Sequence, residues 1–342
     1  MMITLLILGG FLLLFAGGEA LVRGSVGVAR KAGMSELVIG LTLVGFGTSL
    51  PELVTSLEAL HEGAVGISIG NVIGSNVANI MLVIGAAAFV RAIITDPKAL
   101  ARDGAFMIAV TALFAVVVWI DGFTRTTGIM FTVMLIAYLV ISVVLDRRAN
   151  SPARELHEQE AGEFEHDDPI WLSLVMTVGG IACVIFGAKF LVEGGSAAAR
   201  LLGVSETVIG ISIVAIGTSL PELVTSIMAA RKGKADVALG NVLGSNVFNI
   251  LGILGISAIV YPFSLVETSA LGVPLEVAAM QFGQAASMVT WTDMGAVLLS
   301  VVLLVVFAYT GRKIARWEGG ILLAGYFLYM GLRFDLIPTF GG

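Results

Sequence analysis

Glu52 and Glu222 each follow a proline in the middle of a long apolar run. An ionisable side chain at the centre of a membrane span costs at least about 2.5 kcal/mol on insertion scales, which makes it a functional residue by default. Thr48 and Ser49 lie four and three residues before Glu52, on the same helix face, and Thr218 and Ser219 repeat this around Glu222. On the next apolar run Ser75 and Asn79 are spaced i, i+4, as are Ser245 and Asn249. Every atom these side chains offer a ligand is a hard oxygen, which selects Na⁺, Ca²⁺ or Mg²⁺ over softer metals. Calcium's six to eight oxygens at flexible distances suit this set better than magnesium's strict octahedron. Neither glutamate has a Lys or Arg nearby in its own run, so the compensating charge must come from protons or bound cations.

The prolines sharpen this reading. Of the eight in the chain, only Pro51 and Pro221 fall in mid-span. Proline removes one backbone donor and clashes with the carbonyl four residues back. That frees oxygens near Gly47/Thr48 and Gly217/Thr218, where an unsatisfied carbonyl in hydrocarbon costs several kcal/mol. One such proline reads as a kink satisfied by its neighbours. A duplicated pair, each followed by glutamate, points to a bound cation.

The elements that position these groups must cross a bilayer. Of 342 residues 57% are hydrophobic and 13% charged, against roughly 25% charged in a soluble domain; mean hydropathy is +0.99. A conventional cytosolic enzyme is excluded. Runs near 2–22, 37–60, 67–90, 102–120, 126–145, 170–195, 206–230, 236–261, 291–310 and 319–336 predict ten transmembrane helices. The chain is therefore expected to be an all-α polytopic membrane protein. The loops after spans 1, 3, 5, 7 and 9 hold 15 of the 19 basic residues, which places both termini on the extracytoplasmic side. Met1 to Arg23 lacks a basic n-region, and its apolar segment is longer than the h-region of a typical signal peptide, so it reads as the first span. Cys183 is alone, which excludes an intrachain disulfide and a metal-thiolate site. No basic, aromatic-laced patch accompanies the net charge of −6, so nucleic acid is not an expected partner. No resident cofactor and no obligatory protein partner is inferred; the partners are ions and the lipid bilayer. Asp146 to Asp168 carries seven acidic residues between Glu155 and Asp168 and reads as a solvated connector. It separates an N-terminal five-helix repeat (1–145) from a C-terminal one (170–342), with the acidic linker at 146–169 on the cytoplasmic side.

The two halves are copies. At an offset of 170, residues 39–85 and 209–255 share 25 identities in 47 gap-free positions. Gly47 to Ser56 recurs unchanged as Gly217 to Ser226, and Gly70 to Asn79 is echoed by Gly240 to Asn249. Five spans per half is an odd number, so the second copy must be inverted relative to the first. Inverted-topology repeats mark secondary transporters, whose site lies at the midplane where the halves meet. Asn71, Asn76, Asn241 and Asn246 flank glycines and are equally readable as turn-stabilising or pore-lining. Glu19, Glu58, Lys189, Glu193 and Asp236 read as interfacial or capping, and His61 as a solvated loop residue.

The duplicated Gly-Thr-Ser-Leu-Pro-Glu and Gly-Ser-Asn stretches resemble the alpha-repeats of the cation/calcium exchanger superfamily, and are most similar to those of prokaryotic sodium/calcium exchangers. The resemblance implies a ten-helix antiporter of the cell (inner) membrane, with spans 2, 3, 7 and 8 as an ion-binding core and spans 1 and 6 sliding across it to alternate access. It implies a calcium site of Glu52, Glu222 and the Thr48 and Thr218 carbonyls. It also implies sodium sites that share the glutamates with Ser49, Ser219, Ser75, Ser245 and the backbone oxygens of Gly45 and Ala215. Asn79 and Asn249 would sit at the centre, and three Na⁺ would exchange for one Ca²⁺. Some members carry aspartate at the position of Asn249, potassium-dependent exchangers among them, so the amide argues against potassium dependence. Ser264 to Thr290 has no counterpart in the first half; its Leu275–Met288 portion reads as an outer amphipathic helix. Two other readings stay open beside Na⁺/Ca²⁺ exchange. The glutamates could carry H⁺ in a proton-coupled Ca²⁺ antiporter of the same fold. An intramembrane hydrolase lacks a positioned base, since His61, His157 and His166 all fall in loops.

Overall fold

The computed structural model describes residues 2–61, 63, 65–95, 97–120, 122–160, 168–202, 215–263 and 291–333. Apart from short turns and one two-stranded ribbon, these residues are helical. The first half holds α1 (Met2–Ala32), α2 (Glu36–Ile39), α3 (Gly45–Thr48), α4 (Leu50–His61), α5 (Val65–Val77), α6 (Gly85–Val90), β1 (Ile93–Ile94), α7 (Pro97–Trp119) and α8 (Arg125–Glu160). The second holds α9 (Ile170–Leu201), α10 (Ala215–Thr218), α11 (Leu220–Arg231), α12 (Ala235–Val247), α13 (Leu254–Val260), α14 (Trp291–Thr310), β2 (Lys313–Ile314) and α15 (Arg316–Arg333). Three π-helical turns, Gly40–Val44, Ala78–Ile84 and Phe248–Ile253, bridge α2 to α3, α5 to α6 and α12 to α13.

Among the described residues seven helices are long and apolar enough to cross a bilayer. The pair Glu36–Thr48 and Leu50–His61, bent by 44° at its break, makes an eighth crossing if counted as one broken span. Two of the ten expected spans fall short of this test for evident reasons. Residues 206–214 lie outside the described residues, and α15 carries Arg316, Glu318 and Arg333 within eighteen residues. The expected amphipathic segment at Leu275–Met288 also lies outside them. The expected linker begins later than the sequence suggests: α8 runs on past Asp146 to Glu160, because nothing between Arg147 and Glu160 breaks a helix except Pro152.

Val65–Val90 and Ala235–Val260 form the centre, with 83% and 89% of their spanning windows buried, against 28% for Arg125–Asp146 and Ile170–Ala198. The outer helices turn large apolar side chains outward, Leu8, Phe11 and Phe15 on α1 and Val133, Ile136 and Val140 on α8 among them. In a bilayer these faces meet acyl chains. Trp119, Trp171 and Trp317 are exposed close to span ends, where an aromatic belt would sit.

Polar contacts sort the loops onto two faces. On one, Arg23 pairs with Asp168 at 2.8 Å, Lys232 with Glu19, and Lys234 with Glu36 at 3.0 Å. There too the Ser35 amide donates to Asp146, and β1 pairs antiparallel with β2. On the other, His61 lies 3.0 Å from the Tyr261 hydroxyl, and the Phe263 amide donates to the Phe123 carbonyl. His61 thus ends α4 against a partner, contrary to the expectation of a merely solvated loop residue. Glu19 likewise pairs across to the α11–α12 turn, while Lys189 and Glu193 face each other loosely on α9 at 3.9 Å.

α1 and α9 lie antiparallel at very close range. A Cβ on Gly10 would fall 2.9 Å from the Gly187 carbonyl, and one on Gly24 2.6 Å from the Ser173 carbonyl. Glycine is what permits two backbones to approach this far.

Candidate functional site

Both glutamates sit just past a break in their helix. Ser49 (φ −90°, ψ 8°) and Ser219 (φ −91°, ψ 4°) leave the helical region at corresponding positions. Pro51 and Pro221 cannot donate to the carbonyls of Gly47 and Gly217. Glu52 and Glu222 then lie in the first turns of α4 and α11, where the positive helix end favours an anionic group. Both are fully buried.

The next span braces each break. Asn71 Nδ2 donates to the Glu52 carbonyl at 3.1 Å and to Ser56 Oγ at 2.9 Å. Asn241 Nδ2 makes the equivalent pair with the Glu222 carbonyl (3.4 Å) and Ser226 Oγ (3.0 Å). These asparagines therefore sit mid-helix and pin the broken spans through their NH₂ ends. Ser56 and Ser226 were legible only as unchanged members of the repeat.

The halves meet at this level. Ser49 Oγ donates to Glu222 Oε1 at 3.0 Å, and Ser245 Oγ donates to the Gly45 carbonyl at 3.2 Å. The Thr48 hydroxyl is placed to donate to the Val44 carbonyl at 3.1 Å or to Asn241 Oδ1 at 3.2 Å. α4 packs against the π-turn that holds Asn249, and α11 against the π-turn that holds Asn79. π-helical turns inside α-helices are frequent at functional sites. Asn79 Nδ2 donates to Asn246 Oδ1 at 3.3 Å, and Asn249 Nδ2 to Asn76 Oδ1 at 3.1 Å. At the offset of 170 these two bonds are copies of one another, each crossing between halves.

What remains is a set of buried oxygens with no partner among the described residues: Glu52 Oε1 and Oε2, Glu222 Oε2, Ser219 Oγ, Asn79 Oδ1 and Asn249 Oδ1. Leaving such groups unsatisfied in a dry interior is costly unless a ligand completes them. Ser75 and Ser245 are buried on the flanking helices, and Thr218 is half-buried in α10. Ala215 begins that helix, and its side chain lies outside the description. The two copies are not identical in their contacts. Ser49 reaches Glu222, while the matching Ser219 does not hold Glu52.

Apolar spans that bury two acidic side chains and several unpartnered neutral oxygens define a multi-pass membrane protein with a polar cluster inside its membrane-spanning core. The comparisons place it further. The family profile for sodium/calcium exchanger protein matches residues 2–144 and 172–334. The chain is 34% identical over 368 residues to the sodium/calcium exchanger MaX1 of Methanosarcina acetivorans, covering 96% of this chain and 98% of that one. It is 32% identical to the inner membrane protein YrbG of Escherichia coli over 266 residues, 76% of this chain and 80% of its relative. A solved structure of the sodium-calcium exchanger NCX_Mj, soaked with Na⁺ and Sr²⁺, matches with a TM-score of 0.77 at 32% identity, covering 96% of this chain and 98% of the other. The chain belongs to the sodium/calcium exchanger protein family.

Proposed function

We propose that the protein is a secondary antiporter that exchanges Na⁺ for Ca²⁺ across a cell membrane by alternating access. The observation that carries this reading is the pair of fully buried carboxylates, three of whose four oxygens have no protein partner among the described residues. Membership of the exchanger family and the likeness to NCX_Mj support it. In this reading Glu52 and Glu222, with the Thr48 and Thr218 carbonyls, hold Ca²⁺. Na⁺ occupies positions drawn from the same glutamates, Ser49, Ser219, Ser75, Ser245 and the Gly45 and Ala215 carbonyls, with Asn79 and Asn249 at the centre.

Charge counting bears on stoichiometry. Two carboxylates and two neutral amides give the core a charge of −2, which one Ca²⁺ cancels. Three Na⁺ would leave +1, so each cycle would move one net charge. Ten spans in two inverted five-helix repeats, 1–145 and 170–342, complete the proposed architecture. The shared face of the loops at Arg23, Arg91 and Lys232, with its excess of Lys and Arg, is assigned to the cytoplasm, which puts both termini outside.

The test is ⁴⁵Ca²⁺ uptake into proteoliposomes loaded with Na⁺, compared with vesicles that hold an outward H⁺ gradient instead. Uptake driven by Na⁺ alone is expected. Uptake driven by H⁺ alone would favour the proton-coupled antiporter, since buried carboxylates without a basic partner can carry protons as well.

A further inference from the structure

We propose that Asn76 and Asn246 are positioning residues, each of which fixes the amide orientation of the cation-binding asparagine contributed by the other half of the protein. The inference rests on the reading that Asn79 and Asn249 are cation ligands.

A side-chain amide carries an acceptor oxygen at one end and two donor hydrogens at the other. Only the oxygen end can face a cation; the NH₂ end there would repel it. Nothing in the local helix decides between the two orientations, because they differ only by a half-turn of a planar group. The decision is made across the interface between halves. Asn246 Oδ1 accepts from Asn79 Nδ2 at 3.3 Å, and Asn76 Oδ1 accepts from Asn249 Nδ2 at 3.1 Å. With each NH₂ end held in this way, Asn79 Oδ1 and Asn249 Oδ1 are the ends left without a partner. All four asparagines are almost wholly buried. The orientation of Asn246 is in turn set from outside the repeat core: its Nδ2 lies 3.8 Å from the Met107 sulfur on α7.

The crossing matters as much as the bond. Asn76 sits one turn before Asn79 on the same span, yet it serves Asn249, and Asn246 serves Asn79. A cation that binds the two amide oxygens therefore requires both halves in register. Groups that orient a metal ligand typically govern about 10–100-fold of affinity.

The experiment is a pair of double-mutant cycles, read as the Na⁺ concentration that half-displaces bound ⁴⁵Ca²⁺ from the purified full-length protein. Asn246→Leu removes the acceptor without changing the bulk greatly, and should raise the half-displacing Na⁺ concentration about tenfold. In an Asn79→Ala background it should cost nothing further. Asn76→Leu should behave in the same way towards Asn249→Ala, which also covers the case in which one leucine variant fails to fold. The crossed combinations, Asn76→Leu with Asn79→Ala and Asn246→Leu with Asn249→Ala, should be additive. Asn246→Asp keeps the acceptor and should retain affinity. Additive effects within the Asn79/Asn246 and Asn76/Asn249 pairs, or an aspartate variant as weak as the leucine one, would overturn the proposal. If Asn79→Ala and Asn249→Ala leave displacement by Na⁺ unchanged, it is the ligand reading that fails, and the proposal falls with it.

Discussion

Gly180 and its neighbour Gly179 offer a test with an internal control. A Cβ built on Gly180 would lie 2.5 Å from the Leu21 amide nitrogen, 2.8 Å from the Gly17 carbonyl oxygen and 2.8 Å from Leu21 Cα. All three obstacles are backbone, so no side-chain rotation relieves them. Bringing the nearest contact to an ordinary 3.4 Å requires α1 and α9 to part by about 0.9 Å at that level. Overpacking of this kind costs about 1–3 kcal/mol in well-packed interiors. The next residue along α9, Ile181, presses against Gly47 beside the first helix break, so displacement of α9 also reaches the candidate site. At Gly179 the same added methyl meets nothing within 4 Å. There alanine only gains helix propensity, worth up to about 1 kcal/mol over glycine in an aqueous helix. Gly180→Ala should therefore lower the melting temperature in detergent by several degrees and slow exchange, while Gly179→Ala matches or exceeds the wild type in both. Equal melting curves and fluxes for the two variants would refute the close-packed antiparallel pair.

Glu52→Gln or Glu222→Gln should abolish Ca²⁺ exchange with folding intact, because the site falls from two charges to one in a low-dielectric setting; wild-type flux at matched protein levels would sink the assignment. Thr48→Ala and Thr218→Ala should be milder, since the proposed ligand atoms are backbone carbonyls; losses as large as those of the glutamate variants would mean that the hydroxyls matter, Thr48 through its reach to Asn241. With three Na⁺ per Ca²⁺, clamping vesicle potential with K⁺ and valinomycin should change Na⁺-driven flux, at about 2.3 kcal/mol per charge per 100 mV; a flux indifferent to potential would mean two-for-one exchange. In a Cys183→Ala background, cysteines placed at His61 and Lys232 should react with impermeant thiol reagents from opposite sides of a sealed vesicle, and labelling from one side would contradict the assignment of the two loop faces.

Much of the candidate site could be read in the sequence because its motifs are written twice. Pro51 with Glu52 and Pro221 with Glu222 identified the broken spans, and the structure puts breaks at Ser49 and Ser219 with nearly the same dihedral angles. The repeat offset also anticipates details that no single span reveals: Gly63 and Gly233 take φ of 76° and 77° in equivalent turns. What the sequence did not disclose depends on tertiary contact. The π-turns at Ala78–Ile84 and Phe248–Ile253 have no residue signature; they arise where packing displaces the regular i to i−4 ladder. Asn76 and Asn246 looked like neighbours of a turn because their partners, Asn249 and Asn79, are more than 160 residues away in the chain. The ribbon of Ile93–Ile94 with Lys313–Ile314 is too short for any alternation pattern to announce it. The run of α8 to Glu160 shows that an acidic, polar stretch can still extend a helix once a membrane span has nucleated it.

The most direct test of the central claim is equilibrium ⁴⁵Ca²⁺ binding to the purified protein, with Na⁺ titrated as competitor, in the wild type and in Glu52→Gln and Glu222→Gln. If the two buried carboxylates hold the transported cation, the wild type binds Ca²⁺ and releases it as Na⁺ rises, and each variant loses saturable binding. Binding that survives in either variant, or that Na⁺ does not displace, would contradict a shared site at Glu52 and Glu222.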